Sequence, residues 1–500
     1  MQTLPSPHNA AATPAFDMAD WRSGYRSQPQ EFAYWIDDIE GSIPTALEGT
    51  LFRNGPGLLD INGHPIKHPF DGDGLINSFA FQDGRAYYRN RFVRTEGYVA
   101  EQAAGKPLYR GVFGTQKPGG IFANFFDLKL KNIANTNIIY WGGKLLALWE
   151  AAEPHRLHPA TLETIGLDDL DGLLQPGDAF GAHPRIDPGE PTQGREPRLV
   201  NFSIKTGLSS TITLHEFDPA GHRVKSYQRS VPGFAFMHDF VLTPSYAIFF
   251  QNPVSFNPFP FLVGLKGAGE CIQFNPKAQT KIILIPREGD APAQFIDAPA
   301  GFVFHHANAF EQEGKVMVDS IVYDRFPTLD EGTTFEAVDF DQVPAGQLWR
   351  FTLDAAAGQT VAATCLIERC CEFPSLHPDR VGRPYRYLYL GVAQRPQGNA
   401  PLQALLKRDL MTGAEEIWSE APRGFASEPL FVPRPEGTAE DDGWVLCLTY
   451  DAARRCSDLL ILEAQNFAAG PIARLRLRHH VPYGLHGSFT PTYFGPDASA

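Results

Sequence analysis

Short runs of alternating apolar and polar residues, each ended by a turn signal, recur from about residue 50 to the C-terminus. Ser78–Val93 is predicted to form two strands around Asp83-Gly84, and Asn137–Trp149 turns at Gly142-Gly143. Such dipeptides between apolar runs are typical of two-residue β-hairpins, since both turn residues take positive φ. Further hairpins and strands are predicted in Ser210–Val231, Gln347–Ile367, Leu402–Trp418 and Trp444–Leu475. The chain is therefore expected to be all-β.

Helical periodicity is scarce, and Asp17–Arg26 and Thr161–Leu174 are the best candidate helices. Many hairpins at fairly regular spacing suggest a β-propeller, a jelly roll or several β-sandwiches. No Gly/Ser-rich or low-complexity linker divides the 500 residues, which favours one large domain. Among these architectures the propeller is the preferred prediction.

Composition excludes several classes of function. The net charge of −14 and the lack of a basic cluster disfavour nucleic-acid binding, which needs a positive footprint. No dinucleotide fingerprint or phosphate loop occurs, so no nucleotide cofactor is expected. Six cysteines lack a disulfide spacing, and the N-terminus has neither the basic start nor the apolar stretch of a signal peptide. The sequence has no uninterrupted run of 18 apolar residues, about the length that a helix needs to span a membrane. A reducing cytoplasm is the predicted compartment.

Four of the 15 histidines stand among apolar and small residues where strands begin or end. These are His183, His238, His305 and His486, separated by 55, 67 and 181 residues. Such spacing excludes a zinc finger, whose ligands lie close in sequence, and suits a metal site on a propeller axis. Four buried core histidines would give the same pattern. A second metal motif, His377-Pro378-Asp379, lies in a Pro-rich turn, where an exposed loop is favoured.

Seven separated motifs, in one order, accompany these histidines and extend over the chain from about Trp21 to Ser488. With the histidine contexts they resemble the carotenoid cleavage oxygenase family. The motifs are Asn54-Gly55-Pro56, His68–Gly74, Arg110–Gly114, Asn132–Asn137, Ala147–Glu150, Cys371–Pro374 and Ser427–Pro429.

The resemblance implies a seven-bladed β-propeller with Fe(II) on its axis, capped by loops and a few short helices. It divides the chain into a flexible N-terminal segment (1–20), one catalytic domain (21–489) and a C-terminal tail (490–500). It also implies that the iron ligands are His183, His238, His305 and His486, and that glutamates accept the other ring N–H of three of them, namely Glu150, Glu372 and Glu428. A carboxylate in that position fixes the tautomer of a metal-bound imidazole. In the His305-His306 pair, His306 is expected to pack or to form a hydrogen bond.

The implied reaction is oxidative cleavage of one double bond in an apolar polyene, with O2 as co-substrate and two carbonyl products. Four imidazoles in an octahedral arrangement leave two positions open, whereas a structural zinc usually closes a tetrahedron. An apocarotenoid cut at the 15,15′ bond to give retinal is the preferred substrate class. The residues carried over as catalytic are Thr136 and Trp149, and those lining the substrate tunnel are Phe113, Trp149, Phe236, Phe304 and Tyr323. Two alternatives stay open: a stilbene-cleaving oxygenase of the same family, and a propeller that only binds an apolar ligand.

Two segments, Gly120–Phe126 and Asn252–Leu265, combine dense Phe, Leu and Val with loop-forming Pro and Gly. Exposed apolar patches of this kind can enter the surface of a bilayer, where carotenoids dissolve. We therefore expect peripheral membrane contact. A buried cap over the tunnel is the alternative interpretation.

Overall fold

A computed structural model describes residues 16–327 and 335–497 of the chain. Its α-helices are few and short: α1 (Met18–Arg22), α2 (Glu96–Ala104), α3 (Gly120–Asn124) and α4 (Phe259–Leu262). Single 3-10 turns lie at Pro69–Asp71, Pro191–Gln193, Gly269–Cys271, Phe335–Ala337 and Pro378–Arg380, with a longer one at Ala464–Ala469. No helix of the described residues is long and apolar enough to cross a membrane.

Antiparallel β-strands make up most of the described chain. In chain order they are β1 (Ala33–Trp35), β2 (Ile39–Gly41), β3 (Gly49–Arg53), β4 (Asp60–Ile61), β5 (His64–Pro65), β6 (Leu75–Gln82), β7 (Arg85–Phe92), β8 (Asn137–Trp141), β9 (Lys144–Leu148), β10 (His155–Leu157), β11 (Thr164–Leu167), β12 (Arg185–Asp187), β13 (Arg198–Lys205), β14 (Ser209–Phe217), β15 (Arg223–Pro232), β16 (Val241–Leu242), β17 (Tyr246–Gln251), β18 (Val254–Phe256), β19 (Ile272–Phe274), β20 (Thr280–Pro286), β21 (Gln294–Ala298), β22 (Phe302–Gln312), β23 (Lys315–Tyr323), β24 (Gln347–Asp354), β25 (Gln359–Ile367), β26 (Cys371–Ser375), β27 (Tyr387–Ala393), β28 (Leu402–Asp409), β29 (Glu415–Ser419), β30 (Gly424–Pro433), β31 (Gly443–Asp451), β32 (Cys456–Glu463), β33 (Pro471–Arg476) and β34 (Gly487–Thr490).

Seven sheets of four or five strands form the blades of a β-propeller, as predicted. From the axis outward, blade 1 is β34-β3-β6-β7-β1, blade 2 is β8-β9-β10-β11, blade 3 is β12-β13-β14-β15, blade 4 is β16-β17-β20-β21, blade 5 is β22-β23-β24-β25, blade 6 is β26-β27-β28-β29 and blade 7 is β30-β31-β32-β33-β2. Two-stranded ribbons, β4-β5 and β18-β19, lie outside the blades. The innermost strands of neighbouring blades touch, for example β34 with β8 and β22 with β26, so they surround the axis.

The two ends of the chain close the ring twice. In blade 1 the C-terminal strand β34 pairs with β3, joining Arg53 to Gly487 and Thr50 to Thr490. In blade 7 the N-terminal strand β2 pairs with β33. Closure by hydrogen-bonded strands leaves the ring without a gap between its first and last blades.

Sequence and structure agree closely at the hairpins. β6 and β7 turn at Asp83-Gly84, whose φ angles are 52° and 70°, and β8 and β9 turn at Gly142-Gly143, with 55° and 75°. Positive φ at both positions is the geometry that these dipeptides predict. The remaining predicted hairpins also form, between β14 and β15, β24 and β25, β28 and β29, and β31 and β32.

The prediction of a helix at Thr161–Leu174 is wrong. The segment forms the outer strand β11 and a series of turns. Leu170 and Asp171 have φ of 54° and 59°, which a right-handed helix does not allow. Apolar spacing suggested a helix, but Ile165 and Leu167 are exposed on the strand while Leu162 and Leu174 are buried.

The boundaries proposed at residues 20 and 489 remain predictions. Helix α1 spans the first of them, and its Trp21 is buried against Phe335 and Phe340. Beyond the second, Phe494 contacts Phe52 and Tyr140. Residues 1–15 lie outside the described part of the chain.

Blade cores consist of interlocked aromatic and aliphatic side chains. Phe249 of β17 is fully buried between Phe202 and Phe240, with ring centroids 5.1 and 5.2 Å apart. We expect Phe249→Ala to destabilise the fold by about 3–5 kcal/mol, because truncating a buried Phe loses its burial and leaves a cavity. Thermal unfolding monitored by circular dichroism should show a melting temperature lower by several degrees. Phe122→Ala, at a ring that is 97% exposed, is the matched control and should leave it unchanged.

Candidate metal centre

Four histidines from four blades meet on the propeller axis. His183, His238 and His486 stand just before the innermost strands β12, β16 and β34, and His305 lies on β22. One ring nitrogen of each lies within 4.8 Å of the others, and the Nε2 atoms of His183 and His238 are 2.9 Å apart. Within residues 16–327 and 335–497, this is the one group of His, Cys, Asp and Glu side chains arranged to hold a metal ion. The structure thus brings together the four histidines selected from the sequence.

The spacing of these nitrogens fits a common metal ion. A metal–nitrogen bond of about 2.1 Å puts two ligands at right angles roughly 3 Å apart, close to the separation between His183 and His238. The Nε2 atom of His305 is buried and has no hydrogen-bond partner. A buried nitrogen without a partner carries a desolvation cost that a bound cation would remove.

Three glutamates hold the outward-facing nitrogens of three histidines. Their carboxylates accept hydrogen bonds from Nδ1 of His305 at 2.6 Å, from Nδ1 of His486 at 2.8 Å and, in a closer contact, from Nδ1 of His238. The pairs are His305 with Glu372, His486 with Glu428, and His238 with Glu150. With the proton held on Nδ1, the lone pair of Nε2 faces the axis, which is the tautomer that binds a metal ion. Among the described residues, no carboxylate bonds to His183.

Local irregularities of the inner strands aim the site residues at the axis. The strand register shifts around His305 in β22, between Glu372 and Ser375 in β26, and between Ala426 and Pro429 on either side of Glu428 in β30. A β-bulge inserts a residue, bends the strand and redirects the side chain. Thus the residues that regular alternation would point elsewhere converge on one centre.

The charges around the centre match a divalent cation. Glu150, Glu372 and Glu428 are three carboxylates next to the histidines. Of the three, only Glu428 forms an ion pair with an arginine, Arg53. Nearby, Arg185 and Asp239 cancel each other through a 2.6 Å ion pair. Two negative charges therefore remain in a largely buried site, an arrangement that is costly without a compensating cation.

The pKa values of the histidines reflect this environment. Burial and the three neighbouring imidazoles hold the pKa of His183 well below its ordinary value. Burial also lowers the pKa of His486, against the opposing effect of Glu428. At His305 burial acts downward too, but the charge of Glu372 and its hydrogen bond outweigh it and raise the pKa. The excess negative charge that favours a proton on His305 favours a metal ion in the same place.

The structure separates the two members of the His305-His306 pair. His306 points away from the cluster, its Nδ1 is 2.7 Å from Ser320 Oγ, and its ring packs against Phe250. The alternative motif at His377 also lies apart, because His377 accepts a hydrogen bond from the Asp379 amide in a turn whose Asp379 is exposed. Neither residue contributes to the four-histidine cluster.

Several of the predicted tunnel residues surround the histidines. Phe304 contacts the rings of His238 and Tyr323, and Phe236 stacks near Phe302. The hydroxyl of Tyr323 donates a hydrogen bond to Glu372, which the sequence did not indicate. Sequence reasoning also missed three phenylalanines. Phe302 and Phe326 contact each other near Phe304, and Phe373 contacts the rings of His305 and His486.

Three further predicted residues occupy different positions. Thr136 is buried, and its carbonyl accepts the amide hydrogen of His486 at 3.2 Å. Trp149 is buried next to Glu150 and lines a small cavity with Ile133. Phe113 packs against His68 and Phe70, and among the described residues no ring contact joins it to the four histidines of the cluster. The catalytic and lining roles of these residues stay predictions.

A cavity of about 120 Å³ adjoins the histidines and has polar walls. His183, His305 and His486 form part of its wall, together with Arg185 and Asp239. A polar cavity of this size can hold water or another small molecule beside the centre.

The two apolar segments singled out from the sequence lie together, and several of their apolar side chains are exposed. The amide of Phe126 donates a hydrogen bond to the carbonyl of Leu262, which joins the segments that contain α3 and α4. Between them, the fully buried Arg110 donates to the carbonyls of residues 124, 127, 261 and 266. The exposed side chains, called here the apolar rim, are Ile121, Phe122, Phe125, Phe126, Leu128, Phe259 and Leu265. The interpretation as a fully buried cap is therefore wrong.

Fold and site define a class of protein: a seven-bladed β-propeller whose axis carries four histidines, backed by carboxylates and suited to a divalent cation. The chain belongs to the carotenoid oxygenase family, since the family model described as "RPE65: Retinal pigment epithelial membrane protein" matches residues 25–491. It is 56% identical to the apocarotenoid-15,15′-oxygenase of Synechocystis sp., over 98% of this chain and 100% of that protein. It is 32% identical to a lignostilbene-alpha,beta-dioxygenase of Sphingomonas paucimobilis, over 90% of this chain and 93% of that protein. A crystal structure of cobalt-substituted Synechocystis ACO superimposes with a TM-score of 0.93 and 57% identity, covering 95% of this chain and 99% of that one. The family predicted from the motifs is confirmed.

Proposed function

We propose that this protein is a dioxygenase that binds Fe(II) through His183, His238, His305 and His486 and cleaves the 15,15′ double bond of an apocarotenoid. The observation that carries the proposal is the convergence of four imidazoles, three of them backed by carboxylates, within a chain 56% identical to an apocarotenoid oxygenase. The predicted class of enzyme, a carotenoid cleavage dioxygenase, is confirmed by its relatives. Iron and the identity of the cleaved bond belong to the proposal.

Bound Fe(II) would supply the activation of O2. The residues of the chain prepare the site for it. Glu150, Glu372 and Glu428 keep protons on the outward nitrogens, so that the inward lone pairs are free for the metal. His183, His238, His305 and His486 would hold the ion as neutral ligands, so that it would keep its full positive charge.

The aromatic wall supplies the complementary half of the site. The ring of Phe302 contacts the rings of Phe236, Phe304 and Phe326. Phe304 in turn contacts the ring of His238. An apolar polyene gains binding energy from such rings, and the polyene together with the rings excludes water from the reacting bond. The wall would therefore hold the chain of the substrate beside the four histidines.

A direct test combines metal loading with product analysis. The protein is loaded with Fe(II) without oxygen, then given an 8′-apocarotenal and air, while O2 consumption and products are followed by electrode and chromatography. We expect retinal at one O2 per cleavage. A lignostilbene run in parallel distinguishes the second candidate, and cleavage of the stilbene without cleavage of the apocarotenal would overturn the proposed substrate.

We also propose that the apolar rim contacts a membrane surface. Its exposed residues lie on α3 and α4 and in the loops that follow these helices, and Phe122 and Phe126 are 97% and 61% exposed. Aromatic and aliphatic side chains on such a surface partition into the boundary between headgroups and acyl chains. That position would give the enzyme direct access to a substrate that dissolves in the bilayer.

Replacing two rim residues should weaken this binding. The double variant Phe122→Ser/Phe126→Ser is expected to bind phosphatidylcholine vesicles at least about 10-fold more weakly, since burying each Phe contributes roughly 1.5–3 kcal/mol. Vesicle co-sedimentation measures the effect. Leu208→Ser, at a fully exposed leucine in the β13–β14 turn, is the matched control and should bind as the wild type does. Equal binding by the double variant and the wild type would exclude the rim as the contact.

A further inference from the structure

Arg53 is a buried cation that contacts the metal centre only through other residues. Its side chain is 3% exposed, and its Nη1 donates a close hydrogen bond to Glu428 Oε2. Its Nη2 donates to the carbonyl of Leu485 at 3.1 Å. Leu485 directly precedes His486, so the guanidinium holds both the carboxylate that orients this histidine and the backbone that carries it.

Both Glu428 and the backbone of His486 form more than one hydrogen bond. Glu428 accepts from His486 Nδ1 at 2.8 Å and from the Gly487 amide at 3.0 Å, in addition to Arg53. The His486 carbonyl accepts from the Asn54 amide at 2.8 Å, and the His486 amide donates to Thr136. The side chain and the backbone of His486 are therefore both fixed by hydrogen bonds.

The three glutamates differ in how their charge is balanced. Glu428 has the arginine, Glu372 has the neutral hydroxyl of Tyr323, and Glu150 is bonded only to His238 among the described residues. Glu150 is also the most exposed of the three, at 24% of its side chain. Arg53 is thus the one cation of the described chain paired with a carboxylate that holds a histidine of the cluster.

The position of Arg53 connects the centre to the closure of the ring. Arg53 ends β3 and pairs with Gly487 at the start of β34, so its backbone belongs to the strand pairing that closes the ring. Glu428 belongs to the inner strand of blade 7. One guanidinium therefore links the first blade, the last blade and a histidine of the cluster.

We propose that Arg53 is a positioning residue of the metal centre: through Glu428 and Leu485 it holds His486 on the axis and couples metal binding to the closure of blades 7 and 1. The inference rests on the proposed metal site. Without Arg53 the Glu428 carboxylate is free to turn, and the carbonyl of Leu485 loses its hydrogen-bond donor. Both changes disturb the ligand geometry that an outer hydrogen-bond partner normally maintains.

Cobalt(II) is the probe for the test, because its absorption spectrum reports coordination geometry without requiring turnover. Arg53→Met should bind Co(II) about 10- to 100-fold more weakly than the wild type, the usual effect of losing an outer partner of a ligand. Its visible absorption should also change in shape. Arg53→Lys, which restores a positive charge, should recover part of the affinity.

A matched control separates positioning from general stability. Arg350 makes two 2.7 Å hydrogen bonds to the fully buried Asp319 in blade 5, away from the four histidines. Arg350→Met should lower the melting temperature and leave Co(II) affinity and spectrum unchanged. If Arg53→Met also keeps wild-type affinity and spectrum, Arg53 is only structural and the inference is wrong. A wild-type protein that binds no Co(II) would instead overturn the proposed metal centre.

Hydrogen exchange of the wild type provides a test that needs no variant. Co(II) loading should slow amide exchange in β3 and β34 more than in the outer strands of the same blade, β7 and β1. Equal exchange rates with and without bound Co(II) in β3 and β34 would contradict the coupling, even if Arg53→Met fails to fold.

Discussion

His238→Ala should lose both bound iron and oxidative cleavage. Its Nε2 lies 2.9 Å from that of His183, and its Nδ1 is bonded to Glu150, so the substitution removes one ligand and leaves a carboxylate without its partner. Three imidazoles bind the ion more weakly than four, and Glu150 loses its only hydrogen-bond donor among the described residues. We expect metal content below a tenth of the wild-type value after dialysis against a mild chelator, measured by atomic emission. Retinal formation should fall to background.

The control for this variant is His377→Ala. His377 belongs to the other histidine motif of the sequence, lies in a turn and is apart from the cluster, so its removal should leave iron content and turnover unchanged. A second comparison uses the adjacent pair: His305→Ala should lose iron, whereas His306→Ala should keep it. Full iron content in His238→Ala would contradict the four-histidine centre.

Turn chemistry made most of the fold predictable. Asp83-Gly84 and Gly142-Gly143 can adopt the positive φ of a two-residue hairpin, and the flanking alternation marks the strands. Ring closure was harder to predict, since the pairing of β3 with β34 joins residues more than 400 positions apart and leaves no local signal. The number of blades followed from the family resemblance and not from a repeat in the sequence.

Apolar spacing misled the prediction at Thr161–Leu174 because one strand and several turns can bury every third or fourth residue as a helix does. Leu162 and Leu174 are buried but lie in different turns. Ile165 and Leu167, between them, are exposed on the edge strand β11. Positive φ at Leu170 and Asp171, neither of which is glycine, could not be anticipated from residue type.

Part of the site carries a local signal that sequence reasoning did not use. Proline follows Glu428 directly and Glu372 by two residues, inside strands that lie at the centre of the ring. Since proline cannot donate to a strand ladder, it is confined to edges and bulges, and a bulge redirects the neighbouring side chain. The contacts of Arg53 and Tyr323 with these glutamates depend on tertiary structure and have no such marker.

All seven blades contribute a residue to the centre. Blades 3, 4 and 5 provide His183, His238 and His305, and blade 1 provides His486. Blade 2 provides Glu150, and blades 6 and 7 provide Glu372 and Glu428. Each of these glutamates bonds to a histidine of another blade, so the network holds the ring together across its axis. A divalent ion at this point should stabilise the whole ring, because it binds the folded arrangement alone.

Glu372→Ala should weaken metal binding by about 10- to 100-fold, the effect expected when an outer partner of a ligand is removed. Glu372 accepts from His305 Nδ1 at 2.6 Å, from the Phe373 amide at 2.8 Å and from the Tyr323 hydroxyl. Its loss frees the His305 ring to rotate and leaves the half-buried Tyr323 hydroxyl without its acceptor. The measurement is a Co(II) titration followed by visible absorption.

Tyr323→Phe distinguishes the two effects of that substitution. It removes the hydroxyl but keeps the ring against Phe304, and the pair between Glu372 and His305 stays intact. We therefore expect Co(II) affinity within about threefold of the wild type, because one hydrogen bond to a charged group is lost while the ligand keeps its carboxylate. Weakening as large in Tyr323→Phe as in Glu372→Ala would mean that the hydroxyl, rather than the carboxylate, fixes the position of His305. Wild-type affinity in Glu372→Ala would show that packing against Phe304 and Phe373 holds the ring without help from the carboxylate.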